Sequence, residues 1–378
     1  MECPRCHNQK ATRFYKVNDR YYCRYCIQFS RQYVDEYDRF HLSKKKSAYV
    51  HYQLSFELSH IQKKISSLLK ENYINQKNSL VLAVCGSGKT EIVFELIKYA
   101  LNQGERVCFC TPRKELCKEL YDRFLLHFNQ VDLSLVYGGH IENLESQFII
   151  CTTHQLYRFE KTGFHLIILD EADAFPFYGN CVLEEIFQRC VKGQYVKMSA
   201  TIEKDDIQNE ELLIMNRRYH QHDLPLPYKR MMPIIFQKYY IIYFLMKMKA
   251  QQKKVLIFTP LIKDVEEMSH FLAKWFQVKG IHSKSQHNKE TIELLKNGQL
   301  DGIVCTTILE RGITIEDVQV IVYNCEHHVF NARTLIQIAG RVGRKPNAYD
   351  GKICFLSSSY TKEMKKCIYT IQRLNRNV

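Results

Sequence analysis

The chain has 378 residues, 46% of them hydrophobic and 25% charged, with only 15 Gly and 8 Pro. This excludes a largely disordered chain and collagen-like or linker-like sequence, and the length suits two or three domains. Fifty-four Lys and Arg against 40 Asp and Glu leave a formal charge of +14. Such an excess points to a polyanionic partner, nucleic acid first and an anionic membrane surface second, or to a merely basic soluble protein.

The N-terminus, MECPRCHNQK, lacks the apolar core of a signal peptide. The longest apolar run, Tyr239 to Met246, is far below the ~18 residues a bilayer span needs. A cytoplasmic protein is expected, with peripheral attachment to the cytosolic face of a membrane still open. The 15 cysteines fit a reducing compartment.

Cys3-Pro-Arg-Cys6 and Cys23-Arg-Tyr-Cys26 are two C-x2-C pairs separated by sixteen residues. The spacing is that of a four-thiolate zinc site, and the aromatic residues between the pairs predict a short hairpin. A redox dithiol would need only one pair. So small a fragment cannot bury a core, so zinc would supply its folding energy, and four thiolates leave no position for a catalytic water. Arg5, Lys10, Arg13, Lys16, Arg20 and Arg24 surround the site, as a phosphate-contacting face or a solvated one. From Ser30 to about Val50 the chain is polar, with a Lys44-Lys45-Lys46 run, and reads as a connecting helix or linker. Residues 1–50 are therefore expected to form module and linker, followed by α/β lobes over 51–215 and 216–378.

Asn78 to Val84 reads as a strand, Cys85-Gly86-Ser87-Gly88-Lys89-Thr90 as a phosphate loop, and Glu91 to Leu101 as a helix. Gly86, Ser87 and Gly88 let backbone amides close around phosphate oxygens. Lys89 would reach the β- and γ-phosphates of ATP, and the Thr90 hydroxyl would ligate Mg²⁺. Ala83 stands where the pattern has its first glycine. About 80 residues on, the apolar run Leu166 to Leu169 predicts a strand buried on both faces. It delivers Asp170-Glu171-Ala172-Asp173 to the sheet edge. Asp170 would hold Mg²⁺, and Glu171 would orient or deprotonate the attacking water. Loop and carboxylates together predict an NTPase.

The order of the remaining strings resembles superfamily 2 helicases over about residues 54–345. Leu58 to Gln62 is similar to the Q motif, Thr111 to Leu116 to motif Ia, and Thr152 to Leu156 to motif Ib/Ic. Ser199-Ala200-Thr201 resembles motif III, Val255 to Pro260 motif IV, Thr306 to Gly312 motif V and Gln337 to Arg344 motif VI. The resemblance implies two RecA-like lobes, each a mostly parallel sheet flanked by helices, after the small zinc module. It assigns the adenine edge to Gln62, the γ-phosphate side to Gln337 and the arginine-finger role to Arg344 and Arg341. It places Thr111, Arg113, Thr152, Thr153, Thr306 and Thr307 along the face that binds a nucleic-acid strand.

DEAD-box RNA helicases carry Asp, Asp and His where this chain has Thr307, Thr314 and Gln337. With the four-cysteine module, those departures favour a DNA translocase resembling the ComFA family of late-competence helicases. Asp170 to Phe177, Arg218-Tyr219-His220 with Asp223 to Pro227, and Thr306 to Thr314 fit that family. The resemblance implies single-stranded DNA as substrate, with ComFC, single-strand handling factors and the competence DNA-uptake machinery as partners. A PriA-like replication-restart helicase and an RNA-remodelling helicase are the alternatives. A non-enzymatic nucleic-acid binding module would not need Lys89, Glu171 and Arg344 together.

Three smaller features complete the reading. Cys108 and Cys110 are expected as buried strand thiols, and Phe236 to Phe244 as a helix packed in the second lobe's core. His327 and His328, read as strand neighbours on opposite faces, are not expected to share an ion. The basic C-terminal segment predicts an amphipathic helix.

Overall fold

The computed structural model describes residues 1–29, 31–35, 49–84, 86–201, 209–218, 222–285, 287–307, 315–344 and 347–376. The Lys44-Lys45-Lys46 run, Cys85, Tyr219, His220 and Ile308 to Thr314 lie outside the described residues. The chain divides into two units, residues 1–82 with 88–214, and residues 83–87 with 215–378.

The first unit opens with an antiparallel hairpin, β1 (Phe14–Val17) and β2 (Arg20–Cys23), whose Asn18 and Asp19 adopt positive φ at the tip. A short pair joins β3 (His51–Tyr52) to β6 (Phe128–Asn129). Helix α1 (His60–Ile74) starts at Ser59, which closes a reciprocal capping box with Gln62. There follow β4 (Asn78–Ala83), α2 (Phe94–Asn102), β5 (Val107–Thr111) and α3 (Lys114–His127). Then come β7 (Leu133–Tyr137), β8 (His140–Ile141), β9 (Phe148–Thr152), β10 (Phe164–Leu169), α4 (Cys181–Cys190), β11 (Val191–Ser199) and β12 (Glu210–Met215).

The main sheet runs β12-β4-β11-β10-β5-β9-β7-β8. Its pairs from β4 through β11, β10, β5 and β9 to β7 are parallel. β5, β9 and β10 are apolar almost throughout and buried. Covered on both faces, such strands lose the alternation of a half-exposed sheet. One 3₁₀ turn, Glu91 to Val93, precedes α2, so the helix expected from Glu91 begins in its α form at Phe94.

The second unit contains β13 (Tyr228–Met231), α5 (Ile234–Lys249), β14 (Lys254–Phe258), α6 (Ile262–Leu272), β15 (Val278–Ile281) and α7 (Asn288–Lys296). It continues with β16 (Gly302–Cys305), β17 (Val318–Val322), α8 (Ala332–Ala339), β18 (Ile353–Ser357) and α9 (Lys362–Arg376). All pairs of its sheet, β13-β18-β17-β14-β16-β15, are parallel. In α9, Met364, Cys367, Ile371 and Leu374 form the expected apolar stripe at helical spacing.

Two expectations need correction. Only one face of α5 is core: Ile241, Phe244, Leu245 and Met248 are buried, while Phe236, Tyr239 and Tyr243 are more than half exposed. An aromatic run in a helix spreads around its whole circumference, so it cannot all face inward. His327 and His328 stand in a turn, with ring centroids 4.3 Å apart, so the opposite-faces argument fails. Among the described residues, the four N-terminal cysteines are the metal-competent group of three or more His, Cys, Asp or Glu. Of the fourteen described cysteines, thirteen are buried and Cys181 is exposed. Cys108 and Cys110 are buried in β5 as expected, and burial pushes their thiols and those of Cys151 and Cys190 upward.

Candidate ATPase and nucleic-acid site

In the first unit, parallel pairing brings the carboxyl ends of β4, β5, β9 and β10 to one edge, where open α/β sheets bind ligands. Lys89, just past the β4 loop, places its Nζ 3.8 Å from Asp170 Oδ1, just past β10. Asp170 is buried, and the loss of hydration raises its pKa despite Lys89. A buried carboxylate kept reluctant to ionise is a site that a divalent cation would relieve, so the oxygen donors Asp170 and Thr90 fit Mg²⁺.

Asp170 Oδ1 also accepts the Glu171 N–H at 2.8 Å. Glu171 adopts φ +54°, an uncommon backbone state for a residue other than glycine. Its Oε2 lies 3.6 Å from Arg113 Nε, so the proposed water-activating acid pairs with the arginine of the motif Ia string. Downstream, the Thr201 hydroxyl donates to Asp173 Oδ2 at 2.6 Å, and the Ala172 N–H donates to Met198 O at 3.0 Å. The motif III string is thereby tied to the acidic turn.

Gln62 is buried and thoroughly engaged. Its Oε1 accepts the Ser59 N–H at 2.9 Å, and its Nε2 donates to Gly88 O at 3.5 Å. Gly88 has φ +73°, and a Cβ there would collide with the Gln62 amide. Only glycine fits, for both space and backbone. Arg123, on α3, was not legible in any motif, yet it donates to Thr90 Oγ1 and Glu91 Oε1, both at 3.4 Å.

The residues assigned to the strand-binding face differ in exposure. Thr111, Thr152 and Thr153 are buried, whereas Arg113, Thr306 and Thr307 are partly accessible. In the second unit, Gln337 and Arg341 are buried and Arg344 is partly so, with its Nε donating to Gly340 O at 2.9 Å. Arg218, almost fully buried, donates to the carbonyls of Gly340 (3.2 Å), Val342 (2.6 Å) and Gly343. The turn bearing Arg341 and Arg344 is thus held from beneath. The sequence marks Arg218 as the first residue of a family-like string but assigns it no role, and this support of the turn is what the structure adds.

The four cysteine sulfurs lie within 4.8 Å of one another, with Cys3–Cys26 at 3.8 Å and Cys6–Cys23 at 3.6 Å. Zn–S bonds of ~2.3 Å in a tetrahedron require sulfurs about 3.8 Å apart. Hydrogen bonds from Cys26 and Cys6 pull the Cys3 thiol down to about 2, while the Cys6 and Cys26 thiols are driven up. The donor set fits zinc.

The module is seated on the 3₁₀ segment Thr153–Phe159, directly after Thr152. Arg5 lies over the Tyr157 ring at 4.9 Å, and Phe29 packs edge-on against His154 at 4.8 Å. Burial lowers the His154 pKa to about 4, so its ring is a neutral packing surface. Arg189 donates to Arg5 O at 3.1 Å.

Residues 55–204 match the family described as type III restriction enzyme, res subunit, and residues 237–346 match the helicase conserved C-terminal domain. The fold is that of Dbp5 from S. cerevisiae, solved bound to RNA and ADP BeF3. The TM-score is 0.62 at 19% identity, over 85% of this chain and 88% of that one. Fold and domain families define the class: an ATP-dependent nucleic-acid helicase with RecA-like lobes, an enzyme using ATP with Mg²⁺. Competence protein ComFA of Streptococcus pneumoniae (strain ATCC BAA-255 / R6) is 30% identical over 392 residues, 99% of this chain and 90% of its own. Competence protein ComFA of Bacillus subtilis (strain 168) is 32% identical over 402 residues, 99% and 85% respectively. The chain belongs to the ComFA family.

Proposed function

We propose that this helicase is an ATP-driven single-stranded DNA translocase that draws transforming DNA into the cytosol during natural competence. The observation that carries this is the near full-length similarity to two proteins named competence protein ComFA, four-cysteine module included. Among the described residues no helix is long and apolar enough to cross a membrane. Action at the cytosolic face of a membrane, with ComFC and the uptake machinery as partners, belongs to the same proposal.

Lys89 and the amides of Gly86 to Thr90 hold the phosphates, and Gln62 braces the loop through Gly88 while facing the adenine. Thr90 and Asp170 would hold Mg²⁺, which would supply charge neutralisation on the phosphate oxygens. Glu171 orients the attacking water and accepts its proton. Arg341 and Arg344, with Gln337 beside them, stabilise the charge that develops on the transferred phosphoryl group. Arg113 of the first unit and Thr306 and Thr307 of the second hold the DNA backbone, while Thr111, Thr152 and Thr153 lie buried at or just past the ends of β5 and β9. Such contacts carry no sequence information. Zinc on Cys3, Cys6, Cys23 and Cys26 holds the module together.

The test is steady-state ATPase of wild type and Lys89→Ala with no polymer, single-stranded DNA, duplex DNA or single-stranded RNA. Stimulation by single-stranded DNA, lost in the variant, is expected. Equal or greater stimulation by RNA would replace this reading with an RNA-remodelling one.

A further inference from the structure

The hairpin register sorts the module's side chains onto two faces. Tyr15 pairs with Tyr22 and Val17 with Arg20, so these four share a face opposite that of Phe14, Lys16, Tyr21 and Cys23. On it the rings of Tyr15, Tyr22 and Tyr33 meet edge to face in series, at centroid distances of 5.9 and 6.2 Å. Each ring carries its own guanidinium: Arg24 over Tyr15 at 5.8 Å, Arg31 over Tyr22 at 5.4 Å and Arg20 over Tyr33 at 4.1 Å. With Arg13 over Tyr25 and Lys16 over Tyr21, five cation–ring pairs fall between residues 13 and 33. Cations and rings are thus brought together repeatedly within one small module.

The face is also electropositive, and it is open at its Tyr15 end while Tyr22 lies buried behind it. Residues 1–35 carry seven Lys or Arg against three Asp or Glu. Arg20 shares its charge with Asp35 through a forked pair at 2.9 Å. Arg24 and Arg31 have no carboxylate within ion-pair distance among the described residues, and both are exposed. Tyr15 is 53% exposed. Guanidinium groups drawn over rings without a carboxylate partner still have N–H donors to offer phosphate oxygens, and an exposed tyrosine offers a π-face that any base can stack on.

From this arrangement we infer that the Tyr15–Tyr22–Tyr33 face with Arg24 and Arg31 is a second binding surface for single-stranded DNA. Tyr15 stacks a base, and Arg24 and Arg31 hold the flanking phosphates. The inference rests on the proposal that the motor works on single-stranded DNA, and it gives the zinc module a direct part in holding that strand. The module is anchored on the Thr153–Phe159 segment, so the face is fixed to the same unit that carries Arg113 and does not hang on the chain by a linker alone.

The experiment uses the full chain and an oligo-dT probe carrying 4-thiothymidine. Affinity is read by fluorescence anisotropy and contact by photocrosslinking, with zinc content and thermal unfolding measured in parallel. Tyr15→Ala should weaken binding about tenfold, within the range for losing one stacked base. Tyr15→Phe should bind like wild type, because the ring and not the hydroxyl does the stacking. Arg24→Gln with Arg31→Gln should also weaken binding, and the wild-type crosslink should map to residues 14–24. Unchanged affinity in Tyr15→Ala and in the double variant, with wild-type binding intact, overturns the surface and leaves the motor proposal standing. Loss of affinity together with loss of zinc in every variant, or a crosslink confined to other segments, also overturns it. No binding by wild type overturns both readings.

Discussion

At the scale of single residues, the Arg113–Glu171 pair decides how the nucleic-acid face can speak to hydrolysis. Glu171 is held 3.6 Å from a guanidinium proposed to contact the DNA backbone. A phosphate arriving at Arg113 would compete for that guanidinium and release the carboxylate toward water. Glu171→Gln should retain ATP and DNA binding while turnover falls about 10²–10⁴-fold, the span for losing a general base. Arg113→Ala should raise the ATPase rate without DNA and flatten its stimulation by DNA. Rates with and without oligonucleotide check both, and an Arg113→Ala enzyme whose stimulation matches wild type would break the link.

At the scale of elements, His7 clamps the module to its unit. Its Nε2 lies 2.6 Å from Glu160 and its Nδ1 2.5 Å from Glu2, with Arg189 on the far side of Glu160 at 2.9 Å. Burial lowers the His7 pKa, but the hydrogen bonds to Glu160 and Glu2 outweigh it and leave a net rise. A pKa raised on folding stabilises fully below the ordinary histidine value near 6.5 and is lost as pH climbs through the folded value. Limited proteolysis within residues 1–35 should therefore be slower at pH 6 than at pH 8, and His7→Gln should narrow that difference. Equal rates for wild type at the two pH values would remove the clamp.

Which elements could be read beforehand follows from the same physics. A strand such as Leu166 to Leu169, apolar on both faces, and a glycine loop carrying Lys89 announce themselves locally. The aromatic stripe of the module does not. It joins residues from β1, β2 and the segment after them, and only the hairpin register, with Tyr15 opposite Tyr22, shows which rings share a face. Arg123 was illegible, and the role of Arg218 unread, for a related reason, since an arginine aimed inward at Thr90 or at the Gly340 carbonyl is spelled like any surface arginine. Gln62 could be read as a motif residue, but its part in the Ser59 capping box depends on where α1 begins.

At the scale of the whole molecule, the charge of +14 is a statement about association. If binding is mainly to phosphates, log K should fall linearly with log salt, and about four neutralised phosphates on a single strand give a slope near −3. Titrations at several salt concentrations with oligonucleotides of unrelated sequence should share that slope. A flat response would contradict phosphate-dominated binding, and a slope that changes with sequence would point to base readout.

The distribution of sulfur has its own use. Among the described cysteines, Cys181 is the exposed one; the others are buried in strands, in helices, in the turn at Cys325 or in the four-cysteine cluster, where zinc would occupy all four sulfurs. Of the described cysteines, a maleimide reagent applied to the folded protein would therefore find Cys181 first. Stripping the module of metal would add up to four reactive thiols at once, while the sheet cysteines stay silent until the lobes unfold. Thiol accessibility over time then separates three events that a melting curve merges: modification at the surface, loss of zinc from the module, and collapse of the motor.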